Sequence, residues 1–582
     1  MNRSQKVAAL VMTLLSGVAI YVFFAFRYPY HLHFQEQYQL FEWTWAYFAE
    51  LSRVPGGVAD WLGRCVTQFF YYAPVGAVLM ALLLCAVQLM TWAVCRHRSL
   101  ALYTLSFLPS VLLLAFYCDE NALAGAAFAL LLSLCCAAFV QCIRNYRLRH
   151  LAEVVLVPVV YWACGPICFV FVLVTMLVES SHFGLKIWIF YLSMLVVSLL
   201  CTLIASRIFP YTLERLAQGV HYYRYHNILP GLFYGAALSC VLVCLFSCFK
   251  VRKFATGWPA GLVLFLAVAG CGSWLTLRAA DMAKEEWMRY DFMVRMQMWN
   301  RIMISADRRN PDTPKTVSCL NLALSQTGRM ADSQFEYFQN GPDGLLPPFV
   351  GDHTNPVSTS EIYWHLGMVN TAQRYMFEAQ EAIPDFQKSA RCYQRLAETN
   401  LVNGDYAVAR KYLRALQHTL FYRAWARETE ALLDAGALFE KRPGLARARA
   451  FRLQEHDFLF SETEMDSMLG LLKVEHPENS MALDYLMAWC LLRKDLDRFV
   501  ECIGMVDAPA MPRAYQEALL LRWVLTHSNF EGLPTYISLA HARRISQFIT
   551  DIQAQTSEAE MQRKYGNTYW FYYYYRYRSS QP

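Results

Sequence analysis

Eight apolar runs, each close to the length that crosses a bilayer, lie before Arg278, and nearly all of the charge sits between them or after them. They occupy residues 7–26, 75–94, 100–116, 122–140, 154–178, 185–205, 231–249 and 258–277. A hydrocarbon core takes about 20 apolar residues per helix, and inside lipid the backbone has to satisfy its own hydrogen bonds. The runs show no period-two alternation, so they specify helices. The expected fold is all-α, with a polytopic transmembrane helix bundle of about eight spans over 1–280 and a soluble helical domain over 281–582. The 56% hydrophobic and 15% aromatic fractions reflect the first half of the chain.

Charge gives the bundle an expected orientation. Arg3 and Lys6, then Arg96 and Arg98, then Arg144, Arg147 and Arg149 fall on alternate loops, which puts the N-terminus and those loops in the cytoplasm. The aromatic segment 27–73 and the hairpin Asp119-Glu120-Asn121 then face outward. The run 154–178 admits two readings. A single pass leaves the C-terminal domain in the cytoplasm, with Lys250, Arg252 and Lys253 outside, against the charge rule. A break at Pro158 or at Gly165-Pro166 makes a re-entrant or double pass, brings that cluster inside and carries the C-terminal domain out. The balance tips to the outward placement.

The segment 27–73 holds His31, His33, Glu36 and Glu42 among Phe34, Tyr38, Phe41, Trp43, Trp45, Tyr47 and Phe48. Such a segment is expected to lie at the headgroup level, ending at Pro55-Gly56-Gly57. Two histidines and one carboxylate lack a distant fourth ligand, so no metal is expected. No run carries a charge near its middle, which argues against ion-coupled transport. Gln88, the most polar mid-run side chain, is expected to bond a neighbouring helix. The net charge of +6 is dispersed in short clusters, so no nucleic-acid partner is implied. Fourteen of the eighteen cysteines fall before residue 280, mostly within the runs, where a thiol is a small apolar group, and Cys240, Cys244 and Cys248 make one packing face.

Beyond residue 279 the apolar positions recur every three or four, and Pro and Gly clusters punctuate them. Tyr393, Leu396, Ala397, Gly404, Tyr406, Ala409 and Leu413 follow a spacing that resembles a tetratricopeptide repeat, departing from it at Asn400. Weaker helical pairs run through 319–338, 362–382 and 481–505, so the domain is expected to be a helical-repeat array, with a plain bundle as the alternative. The tail from Tyr565, with Tyr569 to Tyr575 followed by Arg576, Tyr577 and Arg578, suits either the membrane interface or packing on the last helical pair.

The sequence contains no GxxxxGK[ST], GxGxxG, HExxH, GxSxG or CxxC, so no cofactor is implied. The stretches His33-Phe-Gln-Glu-Gln-Tyr-Gln-Leu-Phe41, Thr67-Gln-Phe-Phe-Tyr71, Asn321-Leu-Ala-Leu324 and Arg395-Leu-Ala-Glu-Thr-Asn-Leu-Val-Asn-Gly-Asp-Tyr406 resemble an uncharacterised bacterial family of multi-spanning membrane proteins with a helical C-terminal half. That resemblance implies a multi-pass location in the inner membrane and transfers no activity or site residue. The leading expectation is a membrane-anchored protein whose helical domain meets a protein partner in the envelope. The competing one is an enzyme. Multi-spanning glycosyltransferases with lipid-linked donors place acidic residues in their first two external loops, a layout similar to Glu36, Asp119 and Glu120 here, and membrane lipid is a contact in either case.

Overall fold

Helices, turns and one isolated antiparallel bridge between Ala122 and Tyr223 make up the described residues of the computed structural model. These are 3–97, 99–180, 185–225, 227–249, 258–351, 354–385, 387–453, 464–507, 510–527 and 530–576. Arg98, Lys250, Arg252, Lys253, Tyr577 and Arg578 lie outside them. The chain forms two compact units, one of Met1–Glu285 with Gln417–Arg423, the other of Glu286–Leu416 with Ala424–Pro582.

In the first unit, seven helices among the described residues are long and apolar enough to cross a membrane: Arg3–Arg27, Ala73–Ala93, Gly125–Cys142, Tyr146–Glu179, Trp188–Ile208, Gly231–Cys248 and Pro259–Ala279. A shorter apolar stretch, Leu100–Phe116, bends at Ser106 and Phe107, just ahead of Pro109. Gln88 bonds neighbours as expected, donating to Ser106 Oγ (2.8 Å) and accepting from Thr13 Oγ1 (3.2 Å). Cys240 and Cys244 are buried packing residues, Cys244 with its Sγ 3.9 Å from the Val174 carbonyl.

The segment Tyr146–Glu179 turns back on itself. A straight helix would hold residues 149 and 179 about 45 Å apart, yet the Arg149 guanidinium pairs with the Glu179 carboxylate. The turn is Gly165–Ile167, where Gly165 takes φ +74° and Pro166 removes an amide donor. Tyr146–Cys164 runs up to it and Cys168–Ser180 runs back. Pro158 stays inside the first of these helices. Two sets of contacts then define the ends of the bundle. At one, Ile167 N donates to the Tyr222 hydroxyl (3.2 Å), Gly56 N to Trp162 O (2.8 Å) and Leu123 N to Tyr222 O (3.2 Å). At the other, Arg96 N donates to Ser247 Oγ (3.1 Å) and Cys248 Sγ to Leu177 O (3.2 Å). We call the first the aromatic end, since it carries 27–73, and the second the basic end, since Arg96, Arg144, Arg147 and Arg149 cluster there. The last apolar helix closes at the aromatic end, where the Tyr28 hydroxyl reaches the carbonyls of Cys118 (3.1 Å) and Asp281 (3.4 Å).

The 27–73 segment is not a single helix lying on a surface. It forms Pro29–Gln37, Trp45–Leu51 and Gly57–Thr67, and the first of these is largely buried. The reason is polar: Glu285 accepts the amides of Tyr30 (2.8 Å) and His31 (2.9 Å), capping the helix from a distant part of the chain. Gly57–Thr67 crosses the start of Gly125–Cys142 at backbone contact, because a Cβ on Gly63 would stand 2.2 Å from Gly125 N.

The second unit repeats one device. At Gln297, Gly328, Gly367, Gly404, Gly436, Lys494 and Gln555 a helix ends in a left-handed residue. The next amide reaches back five residues: Met298 to Met293, Arg329 to Leu324, Met368 to Tyr363, Asp405 to Asn400, Ala437 to Leu432, Asp495 to Cys490 and Thr556 to Asp551, at 2.8–3.1 Å. Each such cap turns the chain into another helix. Leu396, Ala397, Ala409 and Leu413 are buried as the Gly404 pair requires. Asn400 fits because its Nδ2 bonds Leu396 O (2.6 Å). A buried ion network ties helices of this unit: Arg391 grips Asp291 through two bonds (2.5 and 3.1 Å) and reaches Glu361 (3.3 Å), which also pairs with Arg395. The aromatic tail packs inward, with Tyr569, Trp570 and Tyr572 buried and bonded to the carbonyls of Leu491, Glu517 and Leu492.

Candidate functional site: the polar layer at the aromatic end

Charged side chains in an apolar bundle are costly unless paired, so the informative residues of the first unit are its buried ionisable ones. Glu153 and Glu179 lie towards the basic end, Glu179 paired with Arg149, and the others gather at the aromatic end. Asp60 and Arg64, four residues apart on Gly57–Thr67, form a buried ion pair (2.8 Å), and His221 Nδ1 lies 3.4 Å from the same Asp60 oxygen. Burial opposes the charge on Arg64, but Asp60 and the Tyr47 hydroxyl outweigh it and hold the guanidinium above its ordinary value. Tyr47 takes a bond from Arg64 Nη1 (3.3 Å) and donates to Leu40 O (2.9 Å).

The three candidate acids of the enzyme reading each engage a different partner. Glu36 is buried, and the Tyr422 hydroxyl, from Gln417–Arg423, donates to its carboxylate (2.9 and 3.2 Å). Asp119 accepts from Asn121 N (2.9 Å) and Nδ2 (3.2 Å) and from the Tyr223 hydroxyl (2.8 Å). Glu120 pairs with Lys284 (2.7 Å). Gln35, adjacent to Glu36, does join the loops, through the carbonyls of Asp119 (3.4 Å) and Ala122 (3.2 Å). The carboxylate of Glu36 turns instead to Tyr422. Among the described residues no three His, Cys, Asp or Glu side chains are grouped to hold a metal ion. His31 packs on Tyr28 (ring centroids 4.7 Å), and burial pushes its imidazole down to about 4.

The third loop of this end, 219–225, contributes residues that sequence reasoning missed. Gly219 takes φ +83°, and a Cβ there would strike the Tyr222 ring at 2.1 Å. That turn lets Tyr222 reach under the hairpin to the Cys164 carbonyl. Arg215 Nη2 fastens the loop through Val220 O (2.8 Å) and Tyr223 O (3.3 Å). Arg224 N donates to Asn121 O (2.9 Å), beside the Ala122–Tyr223 bridge. The signal available beforehand was charge: Arg64, Arg215 and Arg224 stand at the end opposite the cluster of Arg96, Arg144, Arg147 and Arg149.

An apolar cavity of about 310 Å³ lies between the first, third and last apolar segments, lined by Ile20, Phe23, Phe107, Val111, Phe265 and Gly272 among others. Its wall is hydrocarbon with a few hydroxyls, a lining that suits a lipid chain.

A bundle of long apolar helices with a polar layer at one end defines a multi-pass helical membrane protein. The family model described as "Family of unknown function (DUF6057)" matches residues 3–576, and the chain belongs to that family. Comparison with curated proteins and with solved structures finds no match.

Proposed function

We propose that this protein crosses the inner membrane of a bacterium nine times, with its basic end in the cytoplasm, and presents an outer helical domain to a protein partner in the envelope. The hairpin at Gly165 supplies the extra pass beyond the eight apolar runs. Support for the orientation comes from the common location of Arg96, Arg144, Arg147 and Arg149 at the end opposite Tyr28 and Asp281. The observation that carries the partner reading is the recurrent capped helix–turn–helix unit, a tetratricopeptide-like device whose stacked pairs expose extended surfaces. The engagement of Glu36, Asp119 and Glu120 in separate structural bonds favours a scaffold over a shared acid–base centre.

The first test is sidedness: a tag after Pro582 is digested by protease once the outer barrier is opened, while the inner membrane stays sealed. Protection of the tag under those conditions refutes the orientation. The second is in-cell crosslinking followed by purification in mild detergent, where a reproducible partner is expected, and its consistent absence refutes the scaffold reading. A second reading, group transfer from a lipid-linked donor, draws on the meeting of three loops at the aromatic end and on the apolar cavity. Full complementation of a deletion strain by Glu36→Gln with Asp119→Asn rules that reading out.

A further inference from the structure

Arg224 is the anomaly of the polar layer. It is 3% exposed, and among the described residues its Nε and Nη1 have no hydrogen-bond partner. Its guanidinium lies 5.7 Å from the centroid of the Tyr38 ring, a modest attraction for a desolvated cation. Burial pulls its pKa below the ordinary value, and Arg64 adds repulsion. Most buried arginines are paired, because an uncompensated buried charge costs several kcal/mol. The fold nevertheless fixes this one, through the Asn121 carbonyl, the Ala122–Tyr223 bridge and the Arg215 brace.

The local charge account has an anion missing. Arg64 and His221 share the carboxylate of Asp60; Arg224 has none within bonding distance, and Glu120, whose charge reaches it, is already paired with Lys284. Two guanidiniums against one carboxylate leave a net positive charge, larger when His221 is protonated. A guanidinium fork matches the oxygens of a phosphoryl group, which carries roughly one to two negative charges. The loop that bears Arg224 immediately precedes Gly231–Cys248, at the depth where the apolar helices of the bundle begin and end. Lipid phosphates occupy that depth in a bilayer.

We propose that Arg224 anchors a phosphate-binding site at the aromatic end, taking either the phosphate of a membrane lipid or a free phosphate or pyrophosphate. The site is independent of the partner-binding reading and survives its failure.

The test uses the full-length protein, stripped of co-purified lipid in detergent. Its thermal midpoint is followed during titration with inorganic phosphate, with pyrophosphate, with phosphatidic acid and with the matching diacylglycerol. A saturable rise with phosphatidic acid and none with diacylglycerol is expected. A rise with the inorganic ions alone assigns the site to a soluble ligand. No rise with any phosphate compound, or equal rises with phosphatidic acid and diacylglycerol, overturns the proposal without requiring a variant to fold. Arg224→Gln should weaken the responding ligand at least tenfold, Arg224→Lys should weaken it less, and Arg53→Gln, an exposed arginine of the 27–73 segment, should not. Binding by a folded Arg224→Gln protein equal to wild type also overturns it.

Discussion

Replacing Arg391 by Met in the second unit strips the counterion from Asp291 and half of the pairing from Glu361, all three side chains being buried. The Asp291 carboxylate loses both of its bonds to Arg391, at 2.5 and 3.1 Å, while Glu361 keeps Arg395. Breaking one partner of a buried ion pair costs about 3–5 kcal/mol. At about 2.1 cal/mol/K per residue, a unit of roughly 290 residues moves its midpoint by about 1.6 °C per kcal/mol, so the fall should be about 5–8 °C. Tryptophan fluorescence on heating the full-length protein in detergent reads the midpoint. Hydrogen exchange should show the loss concentrated in Met282–Arg295 and Ala390–Asn403. The paired variant Asp291→Leu with Arg391→Met removes the orphaned carboxylate and should recover at least half of the loss. A drop below 2 °C for Arg391→Met, or no recovery in the pair, refutes the claim that this network fixes the domain.

Gly63→Val sets a Cβ 2.2 Å from Gly125 N, so the two helices have to part, and the yield of folded protein by gel filtration should collapse where an exposed Gly270→Val leaves it unchanged. Tyr422→Phe removes the hydroxyl that donates to buried Glu36 and should lower the midpoint by an amount equivalent to about 1–3 kcal/mol, with Glu36→Gln in the same background recovering part of it. His365 is half-buried with its Nε2 enclosed, and desolvation drives its imidazole down to about 4, from 6.5, so the unfolded chain takes up the proton first. Its contribution to stability is therefore full above about pH 6.5 and shrinks as the pH falls toward 4, and His365→Gln should flatten the midpoint-against-pH slope in that window; an unchanged slope contradicts the assignment.

Helix content and the apolar segments were legible because both rest on runs of residues, and a run of 20 uncharged positions has one physical solution in lipid. The turn at Gly165 was legible only as an alternative. Gly and Pro permit a reversal there, but the Arg149–Glu179 pair that shows it lies at the far ends of the segment. Periodicity found the Gly404 cap since glycine marks it, and missed those at Gln297, Lys494 and Gln555, where side chains with no turn preference occupy the same left-handed position. The polar layer was legible in part. Asp119 and Glu120 stand out as loop acids, whereas the Asp60–Arg64–His221 group joins residues some 160 positions apart, and Arg224 matters for what it lacks. The 27–73 segment divides into three helices where one was expected, because aromatic density does not show where the chain breaks and the Glu285 cap on the first helix comes from 255 residues away.

The hairpin at Gly165 also bears on how the chain is made. Its returning arm, Cys168–Ser180, has 13 residues, about 20 Å of helix against a hydrocarbon core of about 30 Å. Cys168, Phe171, Val172 and Val174 are buried on an arm packed against Gly125–Cys142, Gly231–Cys248 and Leu185–Ile208. An arm so short and so enclosed has little independent claim to a place in lipid. In the proposed topology it has to be carried in with Tyr146–Cys164 as one inserting unit and then wait for Gly231–Cys248, which is synthesised more than 50 residues later, to cover it. Until that helix arrives the nascent chain holds an unfinished face, and in that topology the side on which everything downstream emerges depends on a three-residue turn staying bent.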